Sequence, residues 1–261
     1  MERLPVVFVT HGSPMLAIEP GDSGPLLAQL GDELLKKSIK AIAVISAHWI
    51  TKQRPFITAA QSPETIHDFG GFPELLYRLS YPASGASDIA KLVQDILLKQ
   101  GIDADLDPKR GLDHGAWIPL QYLFPEANIP VIQISMPWPM TELQALTFGE
   151  LLKPLRDQGI LLIASGSMTH NLYDVGENNG HEKSYIAPFV SWVRDALKKH
   201  NLSLMQNYRQ LAPFAVQAHP TEEHFLPLLI ALGASEKGEP ITTLSAGTTY
   251  QALAMDNYIF G

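Results

Sequence analysis

Histidine recurs at the ends of short apolar runs in this chain. Val6–Thr10 leads directly into His11, and Ala41–Ala47 leads into His48-Trp49. Ile160–Ala164 is followed by Ser165-Gly166-Ser167-Met168-Thr169-His170. His224 closes Pro220-Thr221-Glu222-Glu223-His224, which reads as a helix start with Thr221 as N-cap and the acids in the first turn. His114 lies in the turn-like stretch Gly111-Leu112-Asp113-His114-Gly115. Neutral imidazole is a good ligand for iron, zinc, copper and nickel, and three or four imidazoles from separate elements can hold one ion. One histidine after a strand is more often a hydrogen-bonded loop residue. Its repetition in equivalent positions makes a metal site the reading to test, with His11 and His48 as first candidates.

The absence of cysteine sharpens that reading. It excludes disulfides, thiolate nucleophiles, cysteine-bound zinc and cysteine-ligated iron–sulfur clusters. Any metal must be held by imidazole, carboxylate or water. Other catalytic signatures are missing. There is no Gly-x-Ser-x-Gly elbow, no phosphate-binding Gly-x-x-x-x-Gly-Lys and no Gly-x-Gly-x-x-Gly. His219 to His224 misses an inverted zinc-protease motif by one intervening acid.

The elements that must position these histidines can be read from apolar periodicity. The runs 6–9, 41–45, 129–134 and 160–164 have the length and β-branched content of buried strands. Between them, 26–35, 89–98, 143–155 and 186–197 carry apolar residues at three- and four-residue steps, as amphipathic helices do. Alternating strands and helices predict an α/β fold, a sheet with helices on both faces. In such sheets ligands sit outside the carboxyl ends of the strands, where the histidines fall. Residues 55–82 are rich in Gly and Pro and read as a long loop with a short strand, a length usually tied to function. Met-Pro-Trp-Pro-Met at 136–140 reads as a pocket wall or as packing at a strand exit.

The chain has 261 residues and a net charge of −8, so a phosphate backbone would be repelled and nucleic acid is not an expected partner. No apolar run approaches the length of a spanning helix and no signal peptide is visible, so a cytoplasmic protein without membrane partners is expected.

Six segments together carry a family resemblance. They are His11-Gly12-Ser13-Pro14-Met15, Ser46-Ala47-His48-Trp49, the stretch 65–73 around His67-Asp68-Phe69, the stretch 112–117 around His114, Ser165–Leu172 around His170, and Pro220–Leu228 around His224. In order and content this set resembles the signature blocks of the DOPA 4,5-dioxygenase family, a branch of the LigB-type, class III extradiol dioxygenases. The resemblance runs from the first strand almost to the C-terminus. It implies one catalytic domain over residues 1–261, with a mixed sheet and a mononuclear metal site at the strand ends. The metal implied is Fe(II) for catalysis, or Zn(II) as isolated. His11, His48 and His224 resemble the metal ligands, and His170 matches a position that is either a fourth ligand or an acid/base. His114 matches another active-site histidine, Glu223 is the nearest candidate carboxylate, and His67 reads equally as pocket lining or structure.

The implied partners are a small catechol such as L-DOPA and O₂, in a monomer or homodimer. The implied reaction inserts both oxygen atoms and opens the ring to a semialdehyde, with His114 or His170 handling protons near neutral pH. Loops 61–73 and 136–140 would read the ring substituents. Two other readings fit the same histidines: a zinc-dependent hydrolase, and a non-catalytic binding protein on the same scaffold.

Overall fold

A computed structural model describes residues 2–177 and 180–261. Its centre is a six-stranded mixed sheet. The strands are β1 (Val6–Thr10), β2 (Ala41–Ser46), β3 (Val131–Gln133), β4 (Ile160–Gly166), β5 (Ile241–Thr249) and β6 (Leu253–Phe260), in the order β3-β2-β4-β1-β6-β5. The first four are parallel, and β6 and β5 add an antiparallel hairpin beside β1.

The parallel strands are apolar on both faces because both faces are covered. Val6 and Phe8 of β1 join Ala43, Ile45, Leu162 and Ala164 in one core. There they meet helices α2 (Ser87–Lys99), α4 (Glu142–Leu152), α5 (Ile186–Lys198) and α6 (Leu226–Ala234). Val7 and Val9 join Ile42, Val44, Leu161 and Ile163 in the other, against α1 (Ser23–Leu34) and α3 (His114–Leu123). Each of the larger side chains among them, Val, Leu, Ile or Phe, contributes about 1.5–3 kcal/mol by leaving water. A one-residue slip would exchange the two faces, so the register is strongly specified. That register aligns the strand ends: Thr10 lies opposite Gly166, and Ser46 opposite Ser165.

The four predicted strands and four predicted helices are present, with small shifts at their ends. The helix expected over 143–155 stops at Leu152, where Pro154 cannot continue it, and a 3₁₀ segment runs on to Gln158. His114 is not in a turn; it is the first residue of α3, behind Asp113 as N-cap. The helix expected to begin at Thr221 begins at Leu226, because Thr221 caps nothing and donates its hydroxyl to Glu223 instead. The long segment after Pro55 holds a strand, Phe56–Thr58, and a 3₁₀ turn, Glu74–Arg78.

Candidate metal centre

Three strand ends and one loop bring the histidines together. His11 directly follows β1, and its backbone N–H bonds to Gly166 at the end of β4. His48 follows β2 by two residues, its N–H held by the Ser46 hydroxyl at 3.1 Å. His224 arrives from the turn before α6, where its carbonyl accepts the Ser167 N–H. Two glycines permit the approach. A methyl group on Gly166 would clash with the His224 carbonyl, and one on Gly115 would clash with the Ser46 hydroxyl and crowd His48.

The Nε2 atoms of His11 and His48 lie 3.0 Å apart, and those of His48 and His224 lie 3.2 Å apart. At most one of these contacts can be a hydrogen bond. The Ser165 hydroxyl donates its proton to the Gly115 carbonyl, so it can only accept from His11 Nδ1–H, at 2.9 Å. His224 Nδ1 faces the Glu223 carboxylate at 3.2 Å, which likewise only accepts. Both rings are therefore fixed as Nδ1–H tautomers with bare Nε2 lone pairs aimed at His48. His48 can offer at most one proton between them. Lone pairs converging at this spacing fit neighbouring ligands of one cation, for which metal–nitrogen bonds are about 2.0–2.1 Å.

Electrostatics favours the neutral ligand form. Burial, and then the neighbouring imidazoles, hold His11 and His224 well below the usual histidine range. Burial pushes His48 down to about 3, with His114 adding to the effect and Asp68 opposing it. Metal binding would thus displace few protons.

His170 and His114 flank the trio without joining it. The His170 ring is stacked on His224, with centroids 3.5 Å apart and planes within 8°. Lone pairs lie in the ring plane, so those of His170 run alongside His224's and do not meet them. His170 groups instead with His224 and the Glu223 carboxylate, and burial lowers its pKa to about 4. The His114 ring lies 3.9 Å from His48 and donates Nδ1–H to Asp68 at 3.0 Å, leaving Nε2 bare. Burial raises the Asp68 pKa, but hydrogen bonds from the His114 ring and backbone outweigh it and hold the carboxyl at about 2.

A pocket of about 640 Å³ opens above this cluster, floored by His48, His114, His170 and His224. Phe69 and Phe72 form one wall, Leu172 and Val175 another, and Met15, Tyr250 and Leu253 complete it. The stretch 61–73 thus lies where expected, whereas 136–140 does not. Met136–Trp138 forms a short strand beside Ile50–Lys52, and Pro137, Pro139 and Met140 line a separate depression. His67 is not among the residues that line the pocket; it bonds the Leu79 carbonyl at 3.0 Å and packs on Trp117 and on Phe69.

Sequence reading missed the partners behind the histidines. Nothing local in the sequence marks Asp68 as the partner of His114 or Ser165 as the partner of His11. Ser46 donates to Asp113 at 2.7 Å, and Gln133 bonds both the Asp113 amide and carboxylate. These partners come from elements far apart in sequence, so no spacing marks them.

An α/β sheet with a histidine cluster at its strand ends defines a metal-dependent enzyme class, and comparison supplies the family. Residues 5–261 match the family model described as the catalytic LigB subunit of aromatic ring-opening dioxygenase. The chain belongs to this family. It is 40% identical to a 4,5-DOPA dioxygenase extradiol of Beta vulgaris, over 87% of this chain and 85% of that protein. It is 35% identical to the Escherichia coli K12 protein of the same name, over 97% of this chain and 93% of that one. The crystal structure of an uncharacterized Escherichia coli K12 protein superposes with a TM-score of 0.81 and 29% identity, covering 99% of this chain and all of that one. Among the described residues, no helix is long and apolar enough to cross a membrane.

Proposed function

We propose that residues 1–261 act as one catalytic domain that cleaves a catechol ring at an extradiol position with O₂, the relatives' names nominating L-DOPA as the first catechol to test. The observation that carries this reading is the convergence of the His11, His48 and His224 Nε2 atoms on the floor of an aromatic-walled pocket. In it, those three imidazoles hold one divalent ion, read as Fe(II) in the working enzyme and replaceable by Zn(II). Bound Fe(II) supplies Lewis acidity that favours the catecholate, and the redox chemistry that couples the ring to O₂.

The chain's own groups then divide the proton work. His114 is the base: Asp68 fixes its Nδ1–H, so the bare Nε2 faces the pocket ready to accept a phenolic proton. His170 stands on the other side of the pocket floor as the second proton carrier, its ring held parallel to His224. Phe69 and Phe72 pack against the aromatic ring and keep water from it. Both oxygen atoms of O₂ end in a ring-opened semialdehyde.

The test is to load the protein with Fe(II) without oxygen, add a panel of catechols that includes L-DOPA, and admit air. A yellow product forming with one mole of O₂ consumed per mole of catechol is expected. Turnover that does not need O₂ would instead indicate zinc-type hydrolysis. No product from any catechol, with iron bound and the protein folded, would sink the proposal.

A further inference from the structure

Tyr250, Gln251 and Ala252 make the turn between β5 and β6, and the backbone there runs against residue preference. Tyr250 has a φ of 50° and Gln251 a φ of 64°, two successive side-chain-bearing residues in the left-handed region. That region crowds Cβ against the backbone, so hairpin turns that need it favour Gly, Asn or Asp. Such a conformation persists only where its surroundings over-determine it. Here they do. The Gly176 N–H donates to the Tyr250 carbonyl at 3.0 Å, and the Lys183 N–H donates to the Gln251 carbonyl at 2.9 Å. Gln251 Nε2 donates in turn to the Glu177 carbonyl at 3.1 Å.

What this turn achieves is the placement of one ring. Tyr250 is half-buried, packs against the core that faces α1 and α3, and lines the pocket above the histidines. Its hydroxyl approaches the exposed Glu19 carboxylate at 3.4 Å, which sets the ring at the pocket's outer edge. Phe69, by contrast, stands edge-on to His114 with ring centroids 5.6 Å apart, down at the floor. The pocket, at about 640 Å³, is much larger than one catechol ring. A group carried by a catechol on the floor therefore extends outward to where Tyr250 stands. By holding Gly176, the same turn also fixes the neighbouring Val175 in the pocket wall.

We infer that Tyr250 is a specificity-determining residue: its ring packs on the substituent of the catechol ring, and the strained turn serves that contact. The inference rests on the catechol reading of the same site and adds the residue that tells one catechol from another. The contact is made by the tyrosine ring, because the hydroxyl is turned to Glu19. A side chain held in place by its backbone before the ligand arrives loses little freedom on binding, so its apolar contact counts nearly in full.

The experiment separates the ring from the backbone that holds it. Tyr250→Ala and Tyr250→Gly both remove the ring, but only glycine accepts the left-handed backbone freely. In thermal unfolding of the metal-free protein, Tyr250→Gly should melt about 2–4 °C above Tyr250→Ala. Under argon, calorimetry on the Fe(II)-loaded protein then compares catechol itself with 4-propylcatechol and L-DOPA. Both variants should bind the two substituted compounds about tenfold more weakly than the parent does, and catechol within about twofold of it. Tyr250→Phe should bind all three within about twofold of the parent. If Tyr250→Ala does not fold, Tyr250→Gly carries the binding test. Substituted catechols bound as tightly without the ring, an equal loss for catechol itself, or a Phe variant as weak as the Gly one would overturn the contact. A glycine variant no more stable than the alanine one would overturn the strain. If the variants behave as expected but air gives no oxygen uptake with any catechol, the ring-cleavage reading fails while the role of Tyr250 stands. Oxygen uptake by a parent whose variants bind like it has the opposite meaning.

Discussion

The two ends of β1 carry two buried polar clusters built on opposite principles. Before its first residue, Arg156 is 1% exposed, yet it donates four hydrogen bonds: to the Leu4 and Ala234 carbonyls and to both oxygens of Glu239. Donors and acceptors match, and the cluster ties the chain's start to the end of α6. After the last residue of β1, His48 meets His11 on one side and His224 on the other, with at most one proton shared among the three Nε2 atoms. Here the protein holds acceptors together and supplies too few protons. A satisfied cluster contributes structure; one left unsatisfied in this directed way marks a place for a ligand.

The largest effect that would break this contrast is loss of a ligand. His11→Ala or His48→Ala should reduce bound metal from about one ion per chain to background, read by elemental analysis of folded protein. The Arg156 cluster, at the far end of the strand, should leave thermal unfolding of the metal-free variants close to that of the metal-free parent. Metal content unchanged by either substitution would refute the ligand assignment.

The flanking histidines should separate chemistry from binding. His114→Gln and His170→Gln are each expected to keep the metal while kcat falls by about 10²–10⁴-fold. If His170→Gln loses the metal instead, His170 is a fourth ligand and its stacked position changes when the ion enters. At the other end, Glu239→Ala leaves a buried guanidinium without its counter-charge. Denaturant unfolding should show a loss of about 3–5 kcal/mol, with full metal occupancy in the protein that remains folded. A milder change is Ser165→Ala, which removes the acceptor that fixes the His11 tautomer. Metal affinity should weaken about 10–100-fold, measured by competition with a chelator.

Much of this contrast was legible in the sequence, but only one half of it. His11 and His48 announce themselves because each ends an apolar strand, and parallel strands put their carboxyl ends on one side by construction. His224 needed the family resemblance, since the turn before α6 has no periodic signal and Thr221 offered a misleading cap. Arg156 was invisible: a lone arginine after a helix looks like a solvated charge, and its partners lie far off at Leu4 and Glu239. Asp68 and Ser165 were hidden for the same reason, because a hydrogen bond across the fold leaves no mark on sequence spacing. The hairpin of β5 and β6 also escaped, since Ile241–Thr249 is an edge strand rich in Thr with only partial burial. Edge strands need no apolar run.

Acid provides the finest test of the histidine end of the strand. His11, His48 and His224, with His219 beneath them, are all neutral in the folded protein, their pKa values lowered chiefly by burial. His219 shows the argument without the complication of a metal. It is fully buried, donates Nε2–H to the Met168 carbonyl at 3.0 Å, packs on Phe225, and has its pKa pushed down to about 3. In the unfolded chain the same ring takes up a proton near pH 6.5. Between about pH 6.5 and 3 the unfolded state therefore binds more protons than the folded one, so stability is full above that window and falls as pH drops through it. Each such histidine steepens the fall by about 1.4 kcal/mol per pH unit. Urea titrations of the metal-free protein should show stability nearly flat above pH 7 and declining below 6.5. His219→Phe should make that decline shallower by about one proton's share. A pH dependence identical to the parent's would mean that His219 is already protonated in the folded protein, and that the charge is met by a group the hydrogen-bond pattern does not reveal.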